Sequence, residues 1–283
     1  MPETGSNPFI STNMTNNVLD FTKSEQYSLS IRLRPDGFSF YVTDPNQSGT
    51  FYSKDITFGE GGDYNESIKK YVFDESYLLL PYRSVSVLMD ISVYQLIPNP
   101  FFDREYAEDM FYTGKNQAPG KKVMINSLRR NEYHLLFEID HTLFSFLTRT
   151  FGINRIYAHI SPLMEYFSKK AKSGNSKAFV CLGKQGFDIC VYKNGILQAA
   201  VNEHVQELND YLFHILSIWQ TFGLDQYADE LYICGENHHS DELNSLLKRY
   251  IHKVSPVSSP LSLTLKEENI IPLEIQTLPL CEL

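Results

Sequence analysis

A three-strand pattern that occurs twice in the chain constrains its fold more than any other feature of the sequence. In each occurrence, short runs of apolar and aromatic residues are separated by turn-forming residues, which predicts an antiparallel meander. The first set of strands covers 27–34, 38–44 and 50–58, and the second covers 177–185, 186–194 and 195–203. A helix, a strand, a helix and a strand follow each set. The matching order predicts a unit of structure present in two copies.

The two meanders can be overlaid at an offset of 149 residues. The segment "IRLRPDGFSFYV" (31–42) then lies on "VCLGKQGFDICV" (180–191). The residues that coincide are Leu33/Leu182, Gly37/Gly186, Phe38/Phe187 and Val42/Val191. Two such units predict an α/β protein of two lobes, each with a meander, a mixed sheet and flanking helices. The hairpin turns are then expected to face each other across a cleft.

The length of 283 residues is greater than that of most single domains and agrees with two lobes. We predict a polar N-terminal arm at 1–24, a first lobe at 25–174 with a small inserted hairpin and helix subdomain at about 115–150, a second lobe at 175–257, and an extended C-terminal tail at 258–283. Within this plan, Asp140 is expected to cap the helix that follows it, and Ser240 to cap the helix that begins there.

Composition excludes some classes of function. The net charge is −9 and the basic pairs are scattered, which argues against a nucleic-acid partner. There is no signal peptide or apolar run of transmembrane length, so a cytoplasmic location is expected. The four cysteines show no metal-ligand spacing, which favours buried free thiols. The 18 Tyr and 19 Phe indicate aromatic core packing and an exposed adhesive face.

Four segments carry a resemblance to a known fold. Residues 178–197 resemble the second-lobe hairpin of actin-like ATPases, and "LYICGENHHSDEL" (231–243) resembles their adenosine motif. The chain is similar to the pilus-assembly, secretion-platform and cell-division actin homologues. It most resembles an uncharacterised bacterial family with this fold. Two segments carry this likeness, "NNVLDFTKSEQYSLSIRL" and "VYQLIPNPFFDREYAEDMF". The resemblance implies a duplicated actin-like ATPase (ribonuclease H-like) fold and leaves the activity open, because this fold has many functions.

The resemblance also implies where a nucleotide site would lie. In working members an acid-x-Gly sequence ends the first strand of each hairpin, and the acids hold Mg²⁺. This chain has Cys181-Leu182-Gly183 in the second hairpin and Arg32-Leu33-Arg34 in the first. The adenosine motif, which normally has two glycines, reads Gly235-Glu236. Neither Cys nor Arg can replace a Mg²⁺-binding carboxylate.

The sequence therefore predicts no catalytic residue, no metal ligand and no cofactor, with ATP and Mg²⁺ disfavoured. If a nucleotide does bind, the cleft residues expected to meet it are Asp36, Gly37, Gly183, Lys184, Gln185, Gly186, Gly235 and Glu236. Other candidate motifs have simpler explanations: the glycines of "GEGGDYNES" (59–67) indicate a loop, and His238 and His239 indicate solvated loop residues.

The favoured hypothesis is a degenerate, non-catalytic actin-like protein that binds protein partners in an assembly, with homodimer formation left open. Two alternatives remain. One is an ATPase or small-molecule kinase that uses Asp36, Asp188 or Glu236 in a non-standard geometry. The other is a module whose cleft senses a small ligand other than ATP.

Overall fold

The computed structural model describes residues 10–12, 19–47, 50–59, 61–130, 132–153, 155–172, 174–235, 237–260 and 271–282. Much of the predicted N-terminal arm lies outside these ranges, and so does Glu236. In the described part of the chain, no helix has the length and apolar character needed to cross a membrane.

Strands and helices follow one another much as the sequence predicts. The strands are β1 (Ile10–Thr12), β2 (Ser28–Arg34), β3 (Gly37–Thr43), β4 (Phe51–Thr57), β5 (Ser84–Met89), β6 (Gln95–Pro98), β7 (Lys121–Leu128), β8 (Tyr133–Asp140), β9 (Ile156–Ala158), β10 (Lys177–Gly183), β11 (Gly186–Lys193), β12 (Ile196–Glu203), β13 (Glu230–Gly235) and β14 (Lys253–Pro256). The α-helices are α1 (Tyr64–Asp74), α2 (Ala107–Tyr112), α3 (His141–Phe151), α4 (Ile160–Ala171), α5 (Leu208–Thr221), α6 (Ser240–Leu247), α7 (Leu273–Thr277) and α8 (Pro279–Glu282). Both predicted meanders, β2–β4 and β10–β12, are confirmed.

The two main sheets have the same strand order around their meanders. The first sheet runs β1-β4-β3-β2-β5-β9 and the second runs β12-β11-β10-β13-β14. In each sheet the first meander strand pairs antiparallel with the second and parallel with the strand that follows the next helix. The predicted α/β class with two mixed sheets is confirmed.

Both meanders turn at a glycine whose position admits no side chain. Gly37 has φ +156°, and a Cβ on it would lie 2.0 Å from the carbonyl oxygen of Ile56. Gly186 has φ +150°, and its Cβ would lie 2.0 Å from the carbonyl oxygen of Glu203. The third strand approaches the turn equally closely in both lobes. This close approach explains why glycine coincides at these two positions in the overlay.

The second sheet is buried on both faces. One face packs its apolar residues against α5, where Tyr211, Ile215 and Trp219 are buried, and against α6. The opposite face packs against α4, where Phe167 stacks on Phe179 with ring centroids 4.4 Å apart. This second face belongs to an apolar core that contains residues of both lobes.

The two faces of the first sheet differ in character, because one is apolar and the other carries two arginines. Leu29, Ile31 and Leu33 of β2 point into the core shared by the lobes. The other face carries Arg32 and Arg34 and is covered by the end of the chain. There the apolar contacts join Phe51, Leu88, Tyr157, Ile271, Ile275 and Leu278.

The described end of the chain corrects the prediction of an extended tail. Residues 271–282 form α7 and α8, which pack on the first lobe beside α4. The two helices have five and four residues, too few to be stable alone or to show a helical period in the sequence. Burial of Ile275 and Leu278 stabilises them instead.

A third, small sheet, β6-β8-β7, is inserted between β5 and β9. The predicted hairpin of this insertion is present as β7 and β8, paired from Lys121↔Asp140 to Leu128↔Tyr133. The strand β6 lies before the predicted boundary of about 115 and was not predicted. Its four residues end at Pro98 and show no clear alternation.

Helix capping agrees with prediction at one of two positions. The Asp140 carboxylate accepts hydrogen bonds from the backbone N–H groups of Thr142 and Leu143, as an N-cap does. Ser240 was predicted as an N-cap, and this is wrong by one residue, because His239 precedes the helix and Ser240 is its first residue. The Ser240 hydroxyl instead accepts the N–H of Asn237 in the preceding turn.

Candidate functional site

Each main sheet places four residues in a row across its strands, close to its hairpin turn. In the second sheet the row is Asn202, Asp188, Cys181 and Cys234. In the first sheet it is Asp55, Ser39, Arg32 and Leu88. Arg32 and Cys181 coincide in the 149-residue overlay, and so do Ser39 and Asp188. The two rows therefore occupy equivalent places in the lobes with different side chains.

Arg32 is the charged centre of the first row. Its Nε and Nη2 donate to the two carboxylate oxygens of Asp90, both at 2.9 Å, in a bidentate pair. Its Nη1 forms an ion pair with Glu274 of α7. Burial alone would lower the pKa of Arg32, but Glu274 and Asp90 outweigh it and raise the pKa. The guanidinium is thus held by two carboxylates from distant parts of the chain.

Asp188 is the charged centre of the second row. One carboxylate oxygen lies 2.8 Å from Nε2 of His159, a first-lobe residue between β9 and α4. The other accepts from the side-chain nitrogen of Asn202 at 3.1 Å and from the hydroxyl of Tyr94 at 3.4 Å. Because His159 and Tyr94 belong to the first lobe, their two contacts with Asp188 cross between the lobes.

His159 is buried between carboxylates, with 12% of its side chain exposed. Burial alone would lower its pKa, but the charge of Asp188 and its hydrogen bond, with the charge of Asp90, raise the pKa to about 9. The N–H of Ile91 faces Nδ1 at 3.3 Å, a long contact that favours the neutral ring. The raised pKa favours the protonated ring at neutral pH, paired with Asp188.

The tips of the two hairpins contact each other directly. Nζ of Lys184 lies 2.8 Å from Oδ2 of Asp36, and Nε of Arg34 lies 3.1 Å from Oδ1 of the same carboxylate. Burial alone would raise the pKa of Asp36, but the hydrogen bonds from Lys184 and Arg34 hold it below its usual value. Arg34 is itself buried and also bonds Asp55 and the carbonyl of Ile56. At this contact the predicted cleft is bridged.

The remaining predicted positions lie around these tips. Gly183, Lys184 and Gln185 are exposed at the second turn, and the carbonyl of Gly183 accepts from the side chain of Asn237 at 3.2 Å. Gly235 ends β13 with φ +73°, and a Cβ there would lie 2.1 Å from the carbonyl oxygen of Leu182. The close pairing of β13 with β10 therefore explains why this residue is glycine, and no bound nucleotide base is needed to explain it. Glu236 lies outside the described residues.

These side chains do not fit a Mg²⁺–nucleotide of the kind that actin-like ATPases bind. The two strand positions that need carboxylates carry Arg32 and Cys181, and the acids beside them, Asp36, Asp90 and Asp188, already pair with cations. Among the described residues, no three His, Cys, Asp or Glu side chains are grouped so that they could hold a metal ion. The site is a network of ion pairs that joins the lobes.

The unusual residues of this network are evident in the sequence, whereas their partners are not. Arg32 and Cys181 are evident because they interrupt a known pattern at a known register. Asp90, His159 and Glu274 come from separate elements, and no local pattern connects them to the hairpins. Asp90 directly follows a parallel strand, which is the one signal that could have drawn attention to it.

A family model described as "Protein of unknown function (DUF3822)" matches residues 16–254. A comparison with curated proteins found no match.

Among solved structures, the chain is similar to a Bacteroides thetaiotaomicron protein with an actin-like ATPase fold and unknown function. The similarity covers 92% of this chain and 98% of that chain at 28% identity, with a TM-score of 0.78. It is also similar to a chain of the PilM-PilN type IV pilus biogenesis complex, over 90% and 97% of the two chains at 10% identity, with a TM-score of 0.56. The ethanolamine utilization protein EutJ from Carboxydothermus hydrogenoformans matches over 89% of both chains at 11% identity, with a TM-score of 0.45. The first two similarities establish the actin-like ATPase fold.

Proposed function

The chain belongs to the DUF3822 family, which is described as a family of unknown function, and we propose that it is a non-catalytic actin-like protein that binds protein partners. The observation that carries this proposal is the ion-pair network between the lobes. In an actin-like ATPase the two hairpins hold Mg²⁺ and phosphate between them. In this chain the residues at the hairpins pair with other side chains instead. Arg32 pairs with Asp90, Asp36 with Lys184, and Asp188 with His159.

Each charged side chain of the network has a partner of opposite charge within the protein, which supports a structural role for the region where a nucleotide would lie. Arg32 pairs with Asp90 and Glu274, and His159 pairs with Asp188. Breaking a buried pair leaves an uncompensated charge at a cost of about 3–5 kcal/mol. A nucleotide phosphate entering between the hairpins would also have to displace Asp36 from Lys184 and would meet the adjacent carboxylates.

Exposed aromatic residues support the protein-binding part of the proposal. Phe101 and Tyr106 lie between β6 and α2, in the insertion that carries the small sheet, and are 75% and 57% exposed. Aromatic side chains are enriched among the residues that dominate protein interfaces. The solved PilM-PilN structure is a type IV pilus biogenesis complex that contains a chain of this fold. A cytoplasmic location and a homodimer both stay predictions.

Nucleotide titration tests the non-catalytic part. Calorimetry with Mg²⁺-ATP at up to millimolar concentration should give no binding heat, and the melting temperature should not move. Phosphate release should equal the rate without protein. Saturable binding that Lys184→Ala abolishes and the matched exposed control Lys248→Ala retains would contradict the proposal and favour the ATPase or kinase alternative.

Cross-linking in cells, followed by capture of the tagged full chain, tests the protein-binding part. A partner recovered in stoichiometric amount should be lost with the double variant Phe101→Ser/Tyr106→Ser and retained with Phe213→Ser. Phe213 is a fair control because it is 67% exposed but lies on α5 of the second lobe. If the partner is recovered equally with the double variant and with Phe213→Ser, it binds to another surface. If the wild-type chain captures no partner in stoichiometric amount, the proposal of protein binding is contradicted.

A further inference from the structure

Cys181 and Cys234 face each other across two neighbouring parallel strands. Cys181 on β10 pairs in register with Cys234 on β13, and their sulfur atoms lie 2.9 Å apart. Both residues lie on the sheet face that packs into the core shared by the lobes. They are the last two members of the row across the second sheet that contains Asp188, so they lie beside the ion pair of Asp188 with His159.

The strand geometry permits a covalent bond between them. Neighbouring strands lie about 4.8 Å apart, within the range of about 4.4–6.8 Å that Cα atoms of disulfides span. From 2.9 Å the sulfurs need to approach by roughly 0.9 Å to reach bonding distance. Side-chain rotation alone can supply such a movement, since the backbone register already matches.

The other two cysteines are placed less well for pairing. Cys190 pairs with Phe179, which puts it diagonally across the ladder from Cys181, and such diagonal positions lie about 7–8 Å apart. A disulfide over that distance requires backbone movement. Cys281 lies on α8 against the first lobe, in a different core cluster. The geometry therefore singles out one pair among the four thiols.

We propose that Cys181 and Cys234 are an oxidisable dithiol that a peroxide converts into a reversible disulfide between β10 and β13. Cys234 is partly exposed and Cys181 is buried, so the peroxide meets Cys234 first. One peroxide oxygen transfers to the Cys234 sulfur, which gives a sulfenic acid and one water. The Cys181 sulfur then attacks the Cys234 sulfur, and the Cys181 proton leaves with the hydroxyl as a second water. Two thiols are oxidised and one peroxide is reduced.

Burial raises the pKa of Cys181 well above its usual value, and the adjacent thiol of Cys234 adds to the effect. Because the thiolate is the attacking species, the second step is expected to be slow, over minutes to hours. A thiol reductant reverses the bond.

The bond would tie together the two loops nearest the hairpin tip of the second lobe. Cys181 lies two residues before Gly183, and Cys234 lies directly before Gly235. The loop after Gly235 already holds the carbonyl of Gly183 through Asn237. This inference rests on strand register and sulfur geometry and does not depend on the proposed function.

A peptide map of the oxidised full-length protein tests the proposal. Trypsin places the four cysteines in four different peptides, 178–184, 185–193, 194–248 and 267–283. After hydrogen peroxide treatment of the folded chain, we expect a linked species of 178–184 with 194–248, two hydrogen atoms lighter than the sum of its parts. Two of the four thiols should disappear, and dithiothreitol should restore both.

Matched variants and competing products decide the outcome. Cys281→Ser should still form the link, whereas Cys181→Ser should stop at a sulfenic or higher acid on Cys234. The proposal is overturned if wild-type Cys234 advances to sulfinic acid without a link. A link to Cys190 or Cys281, or only links between two chains, would overturn it as well. The wild-type map decides these points even if a serine variant fails to fold.

Discussion

Replacing His159 by glutamine should remove a specific part of the pH dependence of folding. A glutamine amide can donate to Asp188 from a similar position, but it does not titrate. His159 carries a raised pKa of about 9 in the folded protein, against an ordinary value of 6.5. The protonated ring therefore stabilises the folded state, with Asp188 and Asp90 as the anions that face it and Arg32 as the opposing cation.

The size of the effect follows from the pKa difference. Each pKa unit corresponds to about 1.4 kcal/mol, so the shift amounts to about 3 kcal/mol. Because only 12% of the side chain is exposed, solvent screens the pair little. The Ile91 N–H that faces Nδ1 acts in the opposite direction, so this figure is an upper limit. The stabilisation is fully present below about pH 6.5 and is lost as the pH rises through about 9.

Urea unfolding of the wild type and the His159→Gln variant at pH values from about 6 to about 9.5 measures this term. The difference in unfolding free energy between the two proteins should fall by up to about 3 kcal/mol across that range. Nuclear magnetic resonance titration of the ring in the folded wild type should give a pKa near 9. A difference that stays flat with pH, or a ring that titrates at or below its ordinary value, would refute the reasoning.

Three further predictions concern backbone crowding and the ion pairs. Gly235→Ala should lower the unfolding free energy by about 3 kcal/mol or more, because its Cβ would meet a backbone carbonyl. Gly152→Ala has open space and only a positive φ, so chemical denaturation should show a loss of about 1 kcal/mol. Glu274→Gln should cost about 1–2 kcal/mol and speed hydrogen exchange in α7, and unchanged exchange would contradict the ion pair's role there. A double-mutant cycle on Lys184→Ala and Asp36→Ala should give a coupling below about 1 kcal/mol, since the side chains are 65% and 41% exposed; a coupling above about 2 kcal/mol would contradict this.

Local pattern was sufficient to predict most of the fold. The hairpin of β7 and β8 lies in the predicted insertion at about 115–150, and α3 begins directly after Asp140 as expected. These elements have alternation, a capping residue or a C-terminal glycine within their own sequence. The short elements α7 and β6 have none of these signals. They exist because the first lobe and the strand β8 offer them packing and pairing partners.

The site divides in the same way between local and long-range information. A motif register locates Arg32 and Cys181, since each occupies a position where a carboxylate is expected. It cannot locate their contacts, because the partner of Arg32 on α7 follows it by more than two hundred residues. The contact between His159 and Asp188 likewise joins residues of different lobes, so the sequence around Asp188 does not indicate it. Predicting such contacts requires the tertiary structure.

Arg32, at the hairpin position where actin-like ATPases have a carboxylate, affects parts of the fold beyond its own hairpin. With 21% of its side chain exposed, Arg32 needs anionic partners, and Asp90 at the end of β5 supplies one within the same sheet. Glu274 supplies the second from a helix of five residues that is unstable in isolation. The arginine therefore helps to fix α7, and α7 in turn covers Leu88 and Tyr157 on the face of the first sheet that carries Arg32. The arginine in the first hairpin and the docking of α7 on the first lobe are thus two aspects of one electrostatic arrangement.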